Sequence, residues 1–127
     1  MRMAIRPLGT GAIAAIFLVQ PLSAADAGWT PTRADIVRLE NGLKLPIAPS
    51  PPGPLKDYAR YYAGIVQNRH HMIRGELIAF DAAQRGSVHI TSEDKFPVIM
   101  DGGCGVVNLL YDVETAKTVS IGCNGLA

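Results

Sequence analysis

The sequence predicts an α+β domain: a small, mainly antiparallel sheet of four to six strands with one short N-terminal helix, stabilised by one disulfide. Three observations lead to this prediction. Apolar residues first recur at helical intervals and later alternate with polar residues in several short runs. A leader of the secretory type precedes these patterned segments. Both cysteines of the chain, Cys104 and Cys123, follow that leader, and an oxidising compartment would allow them to pair.

Residues 1–25 have the three-part layout of a secretory signal peptide: a basic start, an apolar stretch from Leu8 to Val19, and a small-residue end. Cleavage after Ala25 and cleavage after Ala27 both satisfy the small-any-small pattern that the peptidase requires. The apolar stretch is shorter than the roughly 20 residues that cross a bilayer, so no transmembrane anchor is expected after cleavage. The predicted localisation is therefore secreted or periplasmic.

The exported part of the chain carries almost no net charge. Loss of Arg2 and Arg6 leaves ten basic and eleven acidic side chains, which gives a formal charge of −1 when the histidines are neutral. These charges are scattered rather than clustered, and this pattern argues against nucleic acid as a partner.

Proline and glycine divide the exported chain into three segments. Residues 26–45 form an N-terminal helical segment, and residues 46–56 form a proline-rich connector, because proline fixes φ and removes a backbone donor. Residues 57–127 carry the predicted sheet. The chain outside the leader is long enough for one small domain, so the helical segment and the sheet are assigned to the same domain.

The helix is predicted over about Arg33–Asn41. Thr32 and Asp35 resemble a capping box at its start, with the shorter Asp in place of Glu. Apolar residues then recur at helical spacing, and Gly42 is a plausible end.

Residues 55–66 fit both a helix and a strand. Apolar residues recur there at spacings of three and four, whereas three tyrosines followed by Ile65-Val66 are typical of a strand. The strand is favoured, because residues 67–69 resemble a turn and residues 71–80 alternate like a partner strand. Gly75 is expected to mark a bulge or the close approach of another element.

The remaining strands are short. Strands are expected at Val88–Thr91 and at Pro97–Met100, with a charged turn at Ser92–Lys95 between them. Residues 106–111 and 118–121 then form a terminal hairpin.

The terminal hairpin predicts the disulfide. With Val113-Glu114 at the tip, facing residues have numbers that sum to 227, as do Cys104 and Cys123. A one-residue bulge at Ala116 would move the pairing by one place. Facing positions on antiparallel strands are close enough for a disulfide, which would stabilise the domain by about 3 kcal/mol.

An enzyme that uses Cys104 is the alternative. The flanking glycines could place its thiol on an exposed turn, with His70, His71 or His89 as the base. No familiar cysteine-hydrolase motif surrounds Cys104, and Cys123 is available to pair with it in a disulfide. No catalytic residue is therefore assigned, and the protein is expected not to be an enzyme.

A metal site is not predicted either. His70 and His71 are adjacent, so on a strand they would point to opposite faces and could not easily chelate one ion. No spacing typical of zinc ligands is present, and no cofactor is expected. A surface role beside Arg69 is the expectation for this histidine pair.

The surface most suited to a partner combines tyrosine and arginine, which are common at binding hot spots. If the central hairpin forms, its predicted patch consists of Tyr58, Arg60, Tyr62, Arg69 and Arg74. The alternative arrangement packs Tyr61 inward and leaves the others at the boundary of the core. The sequence thus predicts a small exported, non-enzymatic protein that binds a partner, such as an envelope protein. Strand addition at an exposed sheet edge fits the sequence equally well.

Overall fold

The computed structural model describes residues 28–46 and 53–125. The predicted signal peptide and most of the proline-rich connector lie outside the described residues, so both stay predictions. Within those two ranges, no helix is long and apolar enough to cross a membrane. The first element described is the helix α1 (Arg33–Asn41), and the strands that follow it form one sheet.

The helix α1 begins and ends where local chemistry predicts. The Thr32 side chain accepts a hydrogen bond from the Asp35 N–H over 3.2 Å, and Asp35 Oδ2 accepts one from the Thr32 N–H over 2.8 Å. This reciprocal pair is the predicted capping box. Gly42 caps the other end, where its N–H donates to the Leu39 carbonyl and the Leu43 N–H donates to the Glu40 carbonyl, both over 3.2 Å.

Within the described residues, the strands are β1 (Ala59–Gln67), β2 (His70–Ile78), β3 (Val88–Ile90), β4 (Val106–Asp112) and β5 (Lys117–Cys123). They form one mixed sheet in the order β3-β1-β2-β4-β5. Only the β1–β3 pair is parallel, and the other three pairs are antiparallel. The α+β class, the mainly antiparallel sheet and the strand number are therefore confirmed.

The ambiguous segment 55–66 is a strand from Ala59 onward, after one 3₁₀ turn at Leu55–Asp57. Asn68 and Arg69, with φ of 51° and 64°, form the two-residue turn to β2. Such left-handed turns match the twist of a hairpin. Since β1 pairs with β2 on one side and β3 on the other, long-range pairing overrides the local helical spacing.

The hydrophobic core lies between α1 and one face of the sheet. Gly75 lies where two core side chains meet, because an added Cβ would come within 2.8 Å of Leu109 Cγ and 3.0 Å of Tyr62 Cε1. The expected close approach at Gly75 is thus confirmed. The buried residues of this core are Ile36, Leu39, Tyr58, Tyr62, Ile73, Leu77, Val107, Leu109 and Tyr111.

The expected strand at Pro97–Met100 is wrong. Residues 91–105 instead form an irregular segment with 3₁₀ turns at Glu93–Lys95 and Gly103–Gly105. Val98 and Met100 are 86% and 89% exposed, so the apolar run has no buried face that would favour a strand. Pro97 also lacks the N–H that a paired strand would use.

The predicted disulfide is confirmed, but the predicted hairpin register is wrong. Asp112 pairs with Lys117, and Val119 is an extra residue that shifts the pairing between Leu110 and Tyr111. Cys123 consequently faces Val107 rather than Cys104.

Cys104 still reaches Cys123 because of a turn before β4. Gly102 and Gly103 adopt φ of 101° and 52°, which only glycine adopts readily, and a 3₁₀ turn follows. The turn places the two cysteine Cα atoms 4.5 Å apart, and the sulfurs are bonded. The disulfide thus joins the end of β5 to the turn, not to a facing strand position.

Candidate binding site

The five residues of the predicted tyrosine–arginine patch do not share a surface. Tyr58 and Tyr62 are 2% and 0% exposed, so both belong to the core. Arg69 lies at the exposed tip of the β1–β2 hairpin, and Arg74 lies on the sheet face opposite α1. Alternation along β1 directs Arg60 and Tyr62 to the face that α1 covers, whereas Arg74 pairs with Ala63 and therefore lies on the other face. Tyrosine has both a large apolar ring and a polar hydroxyl, and burial of the ring area places Tyr58 and Tyr62 in the core.

Two patch residues direct their polar groups to partners inside the protein. The Tyr62 hydroxyl donates to Glu40 Oε1, and burial raises the pKa of Tyr62, with Glu40 adding to this effect. Arg60 Nε lies 2.8 Å from the same carboxylate oxygen, and Arg60 Nη1 donates to the Leu55 carbonyl over 3.0 Å. These groups hold α1 on the sheet and offer little to a partner.

The sheet face opposite α1 carries a row of polar side chains. Tyr61, Glu76 and Asn108 face one another across β1, β2 and β4, so they form a polar row in the middle of the sheet. The irregular segment 91–105 passes over this face and leaves a cleft of about 360 Å³. We call this space the β2–β4 cleft; its lining includes Arg74, Gly75, Glu76, Glu93, Asp94, Phe96, Pro97, Val98, Ile99 and Asn108.

Glu76 is the unusual residue of the β2–β4 cleft. Its Oε1 is fully buried and accepts no hydrogen bond from any residue that the structure describes. Burial raises the pKa of the Glu76 carboxyl group above its ordinary value, with no other cause contributing. A buried acceptor without a donor costs about 1–3 kcal/mol, and more when it is charged. Such a group is therefore a candidate for ligand contact.

The nearest basic side chain on the same strand face does not compensate Glu76. Arg74 Nε lies 2.6 Å from Glu93 Oε1, and both side chains are partly exposed. The lining thus contains three carboxyl groups, of Glu76, Glu93 and Asp94, and a single guanidinium. This excess of acidic groups favours a positively charged ligand.

Aromatic rings flank the polar row at its β1 end. The rings of Tyr61 and His89 are stacked, with centroids 4.5 Å apart and planes inclined by 10°, and Phe96 approaches Tyr61 at 6.2 Å. Burial, followed by Asp81 and Glu76, raises the pKa of Tyr61. These aromatic rings lie between the acidic cleft and the edge strand β3.

The alternative that used Cys104 as a nucleophile has no thiolate in this structure, because the sulfur is bonded to Cys123. The three candidate bases also have other contacts. His70 Nδ1 bonds to Asp112, the His71 ring lies 5.0 Å from that of Trp29, and His89 Nε2 bonds to the Ser87 hydroxyl. The geometry gives no support to cysteine catalysis.

A second cleft, of about 460 Å³, lies between the end of α1 and the edge strand β5. Its lining consists of Gly42, Lys44, Thr118, Val119, Ser120 and Ile121. Within the described residues, three buried side-chain atoms make no hydrogen bond: Arg60 Nε and Arg74 Nε, which lie in ion pairs, and Glu76 Oε1. None of these residues lines the second cleft. This second cleft is larger than the β2–β4 cleft, but among the residues described it offers a ligand no buried side-chain atom that lacks a hydrogen bond, so it is the weaker candidate.

Sequence reasoning missed Glu76 and Asn108 as site residues. A signal did exist: Glu76 occupies the middle of a strand that was expected to carry its charges on one face. A carboxylate there becomes buried only if another segment crosses that face. The course of residues 91–105 was not predictable from local pattern.

Comparison with known proteins gives no further guidance: no family model, no curated protein and no solved structure matches the chain. Function must therefore be argued from the site itself.

Proposed function

We propose that this chain is a small exported, non-enzymatic binding protein of the cell envelope, and that the β2–β4 cleft accepts a basic side chain of a partner protein. The observation that carries the proposal is the buried Glu76 Oε1, which has no donor within the described part of the chain. The secretory leader and the disulfide are consistent with export.

A lysine ammonium fits the chemistry of the cleft. It has three donors and a positive charge, so it can satisfy Glu76 Oε1 and balance the acidic lining. A charge-assisted hydrogen bond of this kind stabilises a complex by about 1.5–3 kcal/mol. The methylene stem of lysine can pack against Phe96 and Pro97 while its head reaches the carboxylate.

Exposed apolar residues favour a protein rather than a free amine as the occupant. Val98 lines the cleft and is 86% exposed, and Met100, two residues further along, is 89% exposed. Exposed apolar groups around a polar pocket are typical of interaction sites, since a partner backbone or side chain can cover them. A partner that presents a basic residue beside an apolar one would satisfy both parts of the site.

The binding proposal is tested with short peptides that contain lysine flanked by apolar residues, against the same peptides with acetylated lysine. We expect the lysine peptides to shift the backbone amide signals of Glu76 and Asn108 in NMR spectra, and the acetylated peptides to leave them unchanged. Glu76→Gln should weaken binding at least about tenfold, which corresponds to 1.4 kcal/mol. Asp101→Asn, the same charge change on an exposed residue outside the lining, is the control. Equal affinity for both peptide forms would overturn the proposal.

Export is tested separately from ligand binding. Ile16→Arg interrupts the apolar part of the leader, and we expect it to retain the protein in the cytoplasm. The intact mass of the exported wild-type protein should correspond to a chain that begins at Asp26 or Gly28. Its two cysteines should be alkylated only after reduction. An exported Ile16→Arg variant would overturn the assignment of the leader.

A further inference from the structure

Three potential metal ligands converge at the end of the sheet that is remote from the disulfide. His70 is the first residue of β2, Asp112 is the last residue of β4, and Glu114 lies in the β4–β5 turn. His70 Nδ1 lies 2.7 Å from Asp112 Oδ2 and 3.4 Å from Glu114 Oε2. All three ligand atoms lie within 4.8 Å of one another.

The cluster combines one rigid ligand with two adaptable ones. Asp112 is 6% exposed, and its Oδ1 accepts hydrogen bonds from the backbone N–H groups of Glu114 and Thr115 over 2.9 and 3.3 Å. These bonds orient the second oxygen, Oδ2, toward His70. The side chains of His70 and Glu114 are 41% and 45% exposed, so an ion and its water ligands can reach them.

We propose that His70 Nδ1, Asp112 Oδ2 and Glu114 Oε2 bind a divalent transition-metal ion, with Zn²⁺ as the test ion. Imidazole nitrogen and carboxylate oxygen both ligate Zn²⁺, and three protein ligands leave a position for water. Two carboxylates and a neutral imidazole also match the charge of the ion.

The two distances from His70 Nδ1 to the carboxylate oxygens are compatible with coordination after a small adjustment. Zinc bonds of about 2.0–2.2 Å place ligand atoms roughly 3.3–3.6 Å apart in a tetrahedral site. The His70–Glu114 separation of 3.4 Å already lies in that range. The His70–Asp112 separation of 2.7 Å must increase by less than an ångström, and the exposed histidine ring can make this movement.

The sequence did not indicate this cluster, because His71 is the only other potential ligand close to His70 along the chain. Those neighbours do point to opposite faces, as expected, and the His71 ring packs near Trp29. The partners of His70 come instead from β4 and its turn, 42 residues away in the case of Asp112. The site is separate from the β2–β4 cleft, since Glu76 lies six residue steps along β2 from His70, a distance of roughly 20 Å.

The proposal is tested by calorimetric titration of chelator-treated exported protein with ZnCl₂, and by Co²⁺ absorption spectra that report the ligand set. We expect one equivalent to bind, and His70→Gln and Glu114→Gln each to weaken binding at least tenfold. Loss of an outer hydrogen-bond partner alone typically weakens metal binding about 10–100-fold. His71→Gln is the matched control and should bind as the wild type does.

Two results would overturn the proposal: no stoichiometric binding, or equal weakening by His71→Gln and His70→Gln. Glu114 lies in an exposed turn, so its variant should fold even if substitution of His70 disturbs the hairpin. Unchanged affinity of a folded Glu114→Gln variant would also count against the three-ligand site. Asp112 is left intact, because its other oxygen stabilises the β4–β5 turn.

Discussion

The Tyr62 hydroxyl donates a hydrogen bond to Glu40 Oε1 over 2.8 Å, which joins the middle of β1 to the last turn of α1. Arg60 Nε lies 2.8 Å from the same oxygen. One carboxylate therefore satisfies a buried hydroxyl, pairs with a guanidinium and fixes the position of the helix over the sheet.

Tyr62→Phe is expected to lower the free energy of unfolding by about 1.5–3 kcal/mol, the range for hydrogen bonds to charged groups. Urea denaturation followed by circular dichroism measures the change. Tyr61→Phe is the control, because Tyr61 lies on the opposite face and its hydroxyl makes no hydrogen bond recorded within the described residues. Similar losses in both variants would contradict the role assigned to the Tyr62–Glu40 bond.

Gly64→Ala is expected to destabilise the fold by about 1–3 kcal/mol or more, because a Cβ at this position would overlap the ring and the backbone carbonyl of Trp29. The midpoint of urea unfolding measures the loss. Gly122→Ala makes the same change on β5, where nothing lies within 4 Å of the added atom. If Gly64→Ala is no less stable than Gly122→Ala, Trp29 does not pack against β1 as described.

Replacement of both Cys104 and Cys123 by Ala should lower the free energy of unfolding by about 3 kcal/mol. The disulfide closes a loop with a sequence separation of 19, and the crosslink restricts the unfolded chain. Denaturation of the double variant, compared with reduced wild-type protein, measures this effect. The double variant and the reduced wild-type protein should have similar stability. If both unfold at the same denaturant midpoint as the oxidised wild-type protein, the crosslink contributes nothing to stability.

Glu76→Gln should stabilise the protein at neutral pH and have little effect near pH 4. In the folded state burial raises the pKa of Glu76 above 4.5, so the folded protein binds this proton more tightly than the unfolded chain does. The stabilising contribution of the protonated group is therefore present below about pH 4.5, and it is lost as pH rises through the raised pKa.

Thermal unfolding at pH 4 and pH 7 tests this prediction, with Asp101→Asn as the exposed control. We expect the difference in Tm between Glu76→Gln and the wild type to increase with pH. A difference that stays constant, or that is larger at pH 4, would mean that the Glu76 carboxylate is well solvated. The same substitution is expected to weaken ligand binding, so stability and binding would change in opposite directions.

Several elements were predictable because their causes are local. Thr32 and Asp35 lie three residues apart and cap the same helix turn, so their pairing requires no knowledge of the fold. The alternation along β2 predicted which side chains share a face, and Gly75 predicted a close approach. The hairpin register was not predictable, because the extra residue Val119 shifts the pairing of β5 with β4 and has no signal in the local sequence.

The candidate sites were less predictable than the fold. The tyrosines and arginines of β1 resembled a surface patch, yet Tyr62 is buried and Arg60 pairs with Glu40. Residue type alone could not tell a hydroxyl that bonds within the core from one that faces a partner. The β2–β4 cleft depends on which segment covers the second face, which is a long-range property.

The sequence by itself determined the helix and its caps, the alternation of the strands and the identity of the two cysteines that pair. Each of these depends on residues a few positions apart or on the presence of a single possible pairing. Tertiary structure alone decided that Glu40 meets Tyr62, that Glu76 Oε1 is buried without a donor among the described residues, and that His70 meets Asp112. The physical reason is that burial, desolvation and ligand convergence arise only when distant segments pack together.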